Sequence, residues 1–313
     1  MAATREQLQS VIDQWGPWTA HNIELAPGLY TRPESGTTPN PRLRQVLQLV
    51  SDIMGSEDLS GVAVADLGCL EGAFAIELAL HGAQVVGIEG RETNVSRASF
   101  AATSLSLDRC TFALDDARNF AKDKYGEFDV VLCLGLLYHL DAGSVFGLLG
   151  AMHESVRRAV LIDTHVSLTG GRVIQFGGRT YSGHFFREHG TTDTPADRQA
   201  REWASLDNPE SFWLTRSSLF DAVAAAGFSS VLECHLPQST LTSADRVQVV
   251  AFKGGPADIR SVPQPAQPMP PYRPPEITSW RANAREAARS SVRAAGQLSD
   301  ATRRRLHDHR RGG

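Results

Sequence analysis

Residues 62–72, Val-Ala-Val-Ala-Asp-Leu-Gly-Cys-Leu-Glu-Gly, constrain the fold of this chain more than any other stretch. Their apolar first half predicts a buried strand, and a helical pattern begins at Ala73. Between the two, Gly68 permits a sharp turn with close approach to a ligand, and Gly72 lets the helix begin against the strand. This succession of strand, tight glycine turn and helix is the arrangement that holds nucleotide-like ligands in doubly wound α/β folds.

The glycine spacing departs from that of a dinucleotide-binding turn. Asp66, Gly68 and Gly72 follow the pattern D-x-G-x-x-x-G, whereas the dinucleotide turn is G-x-G-x-x-G. Leu70 stands where the middle glycine would sit, and that glycine is what lets a pyrophosphate come close to the backbone. The turn therefore favours a ligand with an amino-acid end and a nucleoside end.

Acidic residues end the strands predicted after the turn. Glu89 ends the second strand, 23 positions after Asp66, where an acid accepts hydrogen bonds from a ribose diol. Asp115 and Asp116 end the third strand, and Asp163 follows the apolar part of the fifth. The predicted strands of this half, in chain order, are 62–65, 84–88, 110–114, 128–135 and 158–165.

These features together resemble the class I S-adenosylmethionine-dependent methyltransferases over residues 60–255. A Tyr-x-Gly element at 181–183 and a Trp-Leu-Thr element at 213–215 are similar to a subgroup that includes wobble-uridine tRNA-modifying enzymes and natural-product or sugar methyltransferases. The resemblance implies an α/β fold with a doubly wound, Rossmann-like, seven-stranded sheet. It also implies an antiparallel seventh strand, read at 247–252, beside the fifth strand.

The resemblance further implies S-adenosylmethionine as the cofactor. The residues expected to bind it are Asp66, Gly68, Cys69, Gly72, Glu89, Gly90, Asp116, Ala117, Cys133, Tyr138 and Tyr30. Two of the acids in this region also have simpler interpretations. Asp116 either receives the adenine amino group or caps the short helix that follows. Glu71 either lies favourably at a helix N-terminus or accepts from the methionine ammonium.

A second informative stretch, 133–140, lies just past the fourth strand, where such sheets bind ligands. We predict His139 as a general base that removes a hydroxyl proton, with Asp163 as its orienting carboxylate. The alternative is that Tyr138 and His139 pack under the adenine. Asp163, His165 and His139 are also candidates for binding magnesium with substrate hydroxyls, although no metal is expected.

Residues 166–212 are an insertion on the ligand side of the predicted sheet, rich in Tyr, His, Arg and Phe. Such a segment is the natural substrate-recognition element. The substrate-binding residues predicted here and at the preceding strand end are His165, Tyr181, His184 and Arg187. The simpler interpretation is a set of ordinary loop residues with weak surface ion pairs.

The chain divides into three parts by pattern. Residues 1–60 are predicted to form an N-terminal helical arm or lid, with helices over 4–14 and 41–54. Residues 61–255 form the cofactor-binding domain. Residues 256–313 are a proline-rich linker and a basic, helical or disordered tail, whose arginines recur at every fourth position over 281–293. A nucleic-acid contact and docking on a neighbouring subunit are the alternatives for this tail.

Composition excludes several other classes. A net charge of −4 argues against a nucleic-acid protein held by its overall charge. The four cysteines are scattered without C-x-x-C spacing, which favours buried thiols in a reducing compartment over zinc or disulfides. No run of about 18 apolar residues is present, and no secretory signal is recognised, so a cytoplasmic protein without membrane contact is expected.

The function predicted from these features is O-methylation of a small hydroxylated metabolite, a natural product or a sugar, with S-adenosylmethionine as donor. A tRNA-modifying transferase is the enzymatic alternative, and a non-catalytic S-adenosylmethionine-binding protein is the alternative of another class. The expected partner is the small-molecule acceptor, and a homo-oligomer is left open. Nucleic acid is not expected, although the basic tail leaves it open.

Overall fold

The computed structural model of the chain describes residues 3–35, 40–235 and 243–255. The predicted linker and tail, 256–313, lie outside the described residues, as does most of the connection predicted over 236–246.

The N-terminal part contains two helices with clear start signals. Helix α1 (Arg5–Trp15) begins at Thr4, whose side chain accepts from the Gln7 amide in a capping box. Two short strands follow, β1 (Glu24–Ala26) and β2 (Leu29–Tyr30), which pair as a hairpin. Helix α2 (Pro41–Met54) has Asn40 as its cap and proline at its first position, where the missing N–H costs nothing. Both predicted helices are confirmed.

The cofactor half alternates strands and helices. Its elements are β3 (Ala63–Leu67), α3 (Ala73–Leu80), β4 (Gln84–Glu89), α4 (Glu92–Ser104), β5 (Cys110–Leu114), α5 (Lys122–Tyr125), β6 (Phe128–Leu134), α6 (Ala142–Ser155) and β7 (Val156–His165). The remaining elements are β8 (Arg172–Phe176), β9 (Arg179–Arg187), α7 (Pro195–Ala200), β10 (Glu210–Leu214), α8 (Arg216–Ala225), β11 (Ser230–Glu233) and β12 (Arg246–Phe252). The five predicted strands of this half are present.

The central sheet has seven strands in the order β11-β12-β7-β6-β3-β4-β5. Strand β12 runs antiparallel between β7 and β11, and the neighbours from β7 to β5 are parallel. The doubly wound Rossmann-like sheet and its antiparallel seventh strand are therefore confirmed. Because the chain order reverses between β3 and β6, a crevice opens at the carboxyl ends of these strands, where such folds bind ligands.

The sheet has a hydrophobic core on each face. Along β6, Val131 and Cys133 face one core, which contains α6 and α8, whereas Val130 and Leu132 face the other, which contains α2 and α3. Successive residues of a strand point to opposite faces, so a strand covered on both sides is apolar throughout. This explains why the fourth predicted strand is a continuous apolar run.

The insertion is more ordered than a recognition loop. Strands β8, β9 and β10 form a three-stranded antiparallel sheet, in which Trp213 lies opposite His184. Tyr181 points inward from β9 and packs its ring 4.7 Å from that of Phe146. Residues 208–215 were predicted to cap a following helix, and Thr215 does cap α8. The strand β10 within this stretch was not predicted.

We expect Gly72→Ala to destabilise the fold. Gly72 has φ +81°, and an added Cβ would lie 2.7 Å from the Phe112 ring and 2.9 Å from Ala98 Cβ. A left-handed alanine costs about 1–2 kcal/mol and an overpacked contact about 1–3 kcal/mol. The free energy of unfolding in urea should therefore fall by about 2–5 kcal/mol.

The matched control is Gly147→Ala, within helix α6, where an added Cβ meets nothing within 4 Å. Alanine favours a helix over glycine by about 1 kcal/mol, so this variant should keep or gain stability. Equal losses in the two variants would contradict the packing argument.

Candidate cofactor and acceptor site

A cavity of about 250 Å³ lies at the carboxyl ends of β3, β4 and β6. The predicted cofactor residues that line it are Asp66, Gly68, Cys69, Glu89, Gly90, Asp116, Ala117 and Tyr138. His139 lines it as well. Further parts of the wall come from the N-terminal arm, from the insertion and from Arg246 of β12, so segments that are distant in sequence enclose one space.

Two alternate residues of the glycine turn, Gly68 and Leu70, have a left-handed backbone conformation. Gly68 has φ +65° and Leu70 has φ +51°, a value that residues other than glycine rarely adopt. The Leu70 amide donates to Glu89 Oε2 at 3.0 Å. Leu70, which stands where a pyrophosphate-binding turn has glycine, therefore directs its backbone amide to Glu89, the acid at the end of the next strand.

Glu89 is prepared to accept hydrogen bonds. Its second oxygen, Oε1, receives the Arg91 amide at 3.0 Å, and burial raises the pKa of its carboxyl even though these backbone donors oppose the shift. Oε1 also accepts from Asn94 Nδ2 at 3.4 Å, whereas the donor described for Oε2 is the Leu70 amide, so Oε2 retains a lone pair for a ribose hydroxyl.

Asp66 presents an unsatisfied carboxylate oxygen at the cavity wall. The residue is 1% exposed, and its Oδ2 atom has no hydrogen-bond partner among the described residues. Burial, with the charge of Glu89 beside it, raises the pKa of Asp66 to about 7. A buried acid without a partner is costly unless a donor or cation meets it. An amino-acid ammonium would satisfy this oxygen.

Asp116 performs the capping role that was left open in the sequence. Its Oδ1 accepts the Arg118 amide at 2.8 Å, and its Oδ2 accepts Arg118 Nε at 2.8 Å. Asp116 and Ala117 still line the cavity, so a contact with adenine stays a prediction.

Glu71 anchors the N-terminal arm. It is fully buried and accepts the amides of Ala20 and His21 at 3.0 and 2.8 Å, together with the Thr19 amide. Its oxygens are thus used by the arm and by Arg97, and Glu71 is absent from the cavity lining, although it does stand directly before Gly72, the N-cap of α3. His21 is brought to the cavity wall, where Nδ1 accepts the Ala73 amide at 3.2 Å. Burial and the Arg42 guanidinium lower the pKa of His21 to about 4, so the ring is neutral.

A segment of the insertion, residues 199–208, forms the opposite wall, and we call it the cover segment. Leu206 packs so closely over Gly90 that a Cβ there would lie 2.3 Å from Leu206 Cδ1. Arg118 also reaches the cover segment, with Nη2 at 2.7 Å from Asp207 Oδ1.

Arg97 joins the arm to the cover segment. It is 6% exposed, and Nη1 pairs with Glu71 at 3.2 Å and with Glu202 at 3.3 Å. Nη2 donates to the carbonyl of Trp15 at 2.7 Å. One buried guanidinium therefore fixes the positions of two walls that are distant in sequence.

At the other end of the cavity, His139 faces a carboxylate that the sequence did not predict. His139 Nδ1 lies 3.0 Å from Glu188 Oε2. Although burial alone would raise it, the pKa of Glu188 is lowered by its hydrogen bond and charge interaction with His139. Glu188 also accepts the Ser205 amide at 2.9 Å. A histidine with an orienting carboxylate is the arrangement of a general base.

The predicted role of Asp163 as the orienting carboxylate is wrong in this geometry. Its two oxygens pair with Arg42 Nη2 and Arg246 Nε, each at 2.6 Å. His165 Nδ1 pairs with Asp245 at 3.1 Å, and the Tyr138 ring contacts both His139 and His165. Arg246 contacts both Asp163 and His165, whereas His139 pairs with Glu188. In the described residues, no cluster of three or more His, Cys, Asp or Glu able to hold a metal occurs.

Several other predicted residues lie away from the cavity. Those absent from its lining are Gly72, Tyr30, Cys133, His165, Tyr181, His184 and Arg187. Gly72 caps α3 beneath the turn, Cys133 is fully buried within β6, and Tyr181 is fully buried against α6. His184 and Arg187 are exposed on β9, and Tyr30 lies in the arm hairpin, so no residue of the predicted substrate set lines the cavity.

The residues that sequence reasoning missed are mostly charged partners across the chain. They are Arg42, Arg91, Arg97, Glu188 and Arg246. Two of them had a local signal. Arg91 directly follows the Glu89-Gly90 strand end, and Glu188 is the only acid in the aromatic and basic stretch 179–189.

Among the described residues, no helix is both long and apolar enough to serve as a membrane span.

Residues 58–159 match a family model described as a methyltransferase domain. Among solved structures, the N-terminal domain of EvdMO1, determined in the presence of SAH and D-fucose, aligns with a TM-score of 0.62 and 24% identity, covering 81% of this chain and 98% of that one. Residues 58–159 are thus similar to a methyltransferase domain, and the sheet order together with this alignment shows the class I methyltransferase fold in the described residues. S-Adenosylmethionine is the cofactor that the sequence predicts for such a domain.

Curated relatives match over shorter stretches. The 23S rRNA (uracil(747)-C(5))-methyltransferase RlmC of Shewanella loihica is 31% identical over 99 residues, which is 32% of this chain and 26% of that protein. The ubiquinone biosynthesis O-methyltransferase of Acinetobacter baumannii is 28% identical over 82 residues, 26% of this chain and 35% of that protein. The chain thus covers about a quarter to a third of these relatives.

The cavity fits this cofactor on its own chemistry. Asp66 has an unpaired carboxylate oxygen for the methionine ammonium, and Glu89 has acceptor capacity for the ribose hydroxyls. Gly68 lines the cavity without a side chain, at a φ of +65° that glycine adopts without strain.

We expect Glu71→Gln to release the arm. Removing one partner of a buried ion pair costs about 3–5 kcal/mol, because Arg97 is left partly unpaired. Urea unfolding should show this loss, and hydrogen exchange should speed up at the Thr19–His21 amides. The control Glu77→Gln removes a surface pair with His81 at 3.7 Å and should cost less than about 1 kcal/mol. Unchanged exchange in Glu71→Gln would rule out this anchoring role.

We expect the affinity for S-adenosylhomocysteine to rise with pH up to about 7. Asp66 has a raised pKa of about 7, so it is largely protonated below that pH and ionises as the pH increases. Only the ionised form attracts the ligand ammonium, which gives a gain of up to about tenfold per pH unit below the pKa. Calorimetric titrations from pH 5.5 to 8 would measure it.

Two controls identify the group responsible. Asp66→Asn should flatten the profile, and 5′-methylthioadenosine, which lacks the ammonium, should show a weaker pH dependence with the wild type. A steep profile that persists in Asp66→Asn would assign the proton to another group.

Proposed function

We propose that the chain transfers a methyl group from S-adenosylmethionine to a hydroxyl oxygen of a small polyhydroxylated acceptor, with His139 as the general base. The observation that carries this proposal is the pairing of His139 Nδ1 with Glu188 Oε2 at 3.0 Å, on a ring that lines the cofactor cavity. A histidine that a carboxylate orients at the strand ends is well suited to remove a proton from an acceptor hydroxyl.

The pairing sets the tautomer of the histidine. An ionised carboxylate only accepts hydrogen bonds, so Nδ1 of a neutral His139 carries the hydrogen. The other ring nitrogen, Nε2, is then unprotonated and able to take a proton. Glu188 also stabilises the imidazolium that results, because its negative charge lies beside the ring.

The reaction divides between donor and chain. S-Adenosylmethionine supplies an electrophilic methyl group whose bond to sulfur breaks, leaving the electron pair on sulfur, as the bond to the acceptor oxygen forms. His139 Nε2 takes the proton of that hydroxyl. The sulfonium is already a good leaving group, so alignment of the two reactants in a closed cavity accounts for much of the rate.

The acceptor end of the cavity is suited to hydroxyl groups. Gly135 has φ +87° and no side chain, and the nearest atoms around the position of a Cβ are Arg246 Nη2 and the Tyr138 hydroxyl. These groups can donate to hydroxyls or ring oxygens of an acceptor. The N-terminal domain of EvdMO1, which was solved with SAH and D-fucose, supports a sugar as the acceptor class.

We expect His139→Gln to lower kcat by about 10²–10⁴-fold, the usual contribution of general base catalysis. The affinity for S-adenosylhomocysteine should stay within about threefold, since the cofactor residues are untouched. Release of S-adenosylhomocysteine with D-fucose and related hexoses as acceptors measures the first, and calorimetry the second.

The matched control is His81→Gln, a surface histidine at the end of α3. It should behave as the wild type in both assays. Equal losses of turnover and cofactor affinity in His139→Gln would make this histidine a structural residue. Turnover with tRNA in place of the hexoses would support the RNA-modifying alternative.

A further inference from the structure

Arg91 is bound almost entirely by the cover segment. Its guanidinium donates to four backbone carbonyls of residues 199–208: Nε to Gln199 at 3.2 Å, and Nη2 to Arg201, Ala204 and Ser205 at 2.7, 3.0 and 3.4 Å. Charged donors make stronger hydrogen bonds than neutral ones. One side chain therefore folds this irregular segment around itself.

The far end of the cover segment holds the base. The Ser205 amide donates to Glu188 Oε2 at 2.9 Å, and this is the same oxygen that faces His139 Nδ1. Asn208 Nδ2 donates to the carbonyl of His139 at 3.0 Å, so both the ring and the backbone of His139 are tied to the segment. Displacement of the cover segment would release the orienting carboxylate.

The near end meets the cofactor. The Arg91 amide donates to Glu89 Oε1 at 3.0 Å, and Glu89 is the acid that suits the ribose diol. Leu206 of the cover segment lies directly over Gly90, also in the cavity wall. The residues that receive the nucleoside are thus in direct contact with the segment that positions the base.

We propose that Arg91 is a positioning residue for His139. By holding the cover segment against the strand end at Glu89, it keeps the Ser205 amide on Glu188 and Glu188 on His139, so that cofactor binding and orientation of the base are linked. This inference rests on the proposed role of His139 as the base. A linkage of this kind is reciprocal, so loss of the Glu188 carboxylate, which accepts the Ser205 amide of the cover segment, must also change cofactor affinity.

The first test reads the histidine tautomer. The full chain, labelled with ¹⁵N-histidine and saturated with S-adenosylhomocysteine, gives two-bond ¹H–¹⁵N spectra in which His139→Gln assigns the signal. The wild type should show the Nδ1–H tautomer at His139. Arg91→Met, which keeps an apolar stem but removes the donors, should give a mixture with the Nε2–H tautomer.

The control is Arg201→Met, an equal charge change within the cover segment, at a side chain that is half-exposed and paired with Asp193. It should retain the wild-type tautomer. Arg91→Lys, which keeps the charge with a less extended set of donors, should fall between the two and guards against misfolding of Arg91→Met. An unchanged His139 tautomer in both Arg91 variants would overturn the proposal.

The second test is a double-mutant cycle on affinity for S-adenosylhomocysteine, which needs no acceptor. Glu188→Gln should weaken binding by about fivefold in the wild type, within the usual range of coupling between sites, and should have little further effect in Arg91→Met. Additive effects would overturn the link to the cofactor. Because neither test measures turnover, a failure of His139 as the base would appear in the hexose assay and not here.

Discussion

The site depends on the buried ion pair between Arg97 and Glu71. A charge taken out of water must be compensated by a partner and by hydrogen bonds, and here the compensation comes from segments that would otherwise have no reason to stay in place. Glu71 is satisfied by the amides of the N-terminal arm, and Arg97 by carbonyls of the arm and by Glu202 of the cover segment. The groups that compensate the buried charges therefore also fix the positions of two cavity walls.

Charge is also distributed unevenly along the cavity. Carboxylates at the tips of β3 and β4 face the space that suits the cationic and hydroxyl-bearing parts of S-adenosylmethionine. Of the arginines around them, Arg91 donates to backbone carbonyls of the cover segment and Arg118 pairs with Asp207 of that segment. Both arginines therefore position the wall more than they add positive charge to the cavity. At the far end, Asp163 lies behind Arg42 and Arg246 and neutralises part of their charge. Glu188 pairs with His139, so the proposed base has a carboxylate other than Asp163.

The features that the sequence predicted are local ones. The turn at Gly68 and the acid at Glu89 follow from patterns within about 25 residues, because strand ends and glycine turns impose their own spacing. The strand order was expected only from the family resemblance. The partners of the site were not predictable in this way. His139 and Glu188 are 49 positions apart, and Arg42 and Asp163 are 121 apart.

Such long-range choices depend on which of many similar side chains the fold brings together. Asp163 lies on the strand that follows His139 in the chain, at the same edge of the sheet. Arg246 of the neighbouring strand β12, however, is the residue that pairs with it. The predicted substrate residues are absent from the cavity lining for a different reason. Tyr181 and His184 lie on a regular strand, whose alternation buries one and directs the other outward, and the insertion contributes to the cavity through its irregular cover segment instead.

Leu70 shows what the departure from a glycine-rich turn achieves. A leucine in the left-handed region carries a conformational penalty of about 1–2 kcal/mol, and this is incurred when the chain folds, before any ligand arrives. In return, its amide holds one Glu89 oxygen in a fixed direction. The carboxylate that is predicted to receive the ribose is therefore oriented before any ligand arrives, and little ordering of it has to be deducted from the free energy of binding.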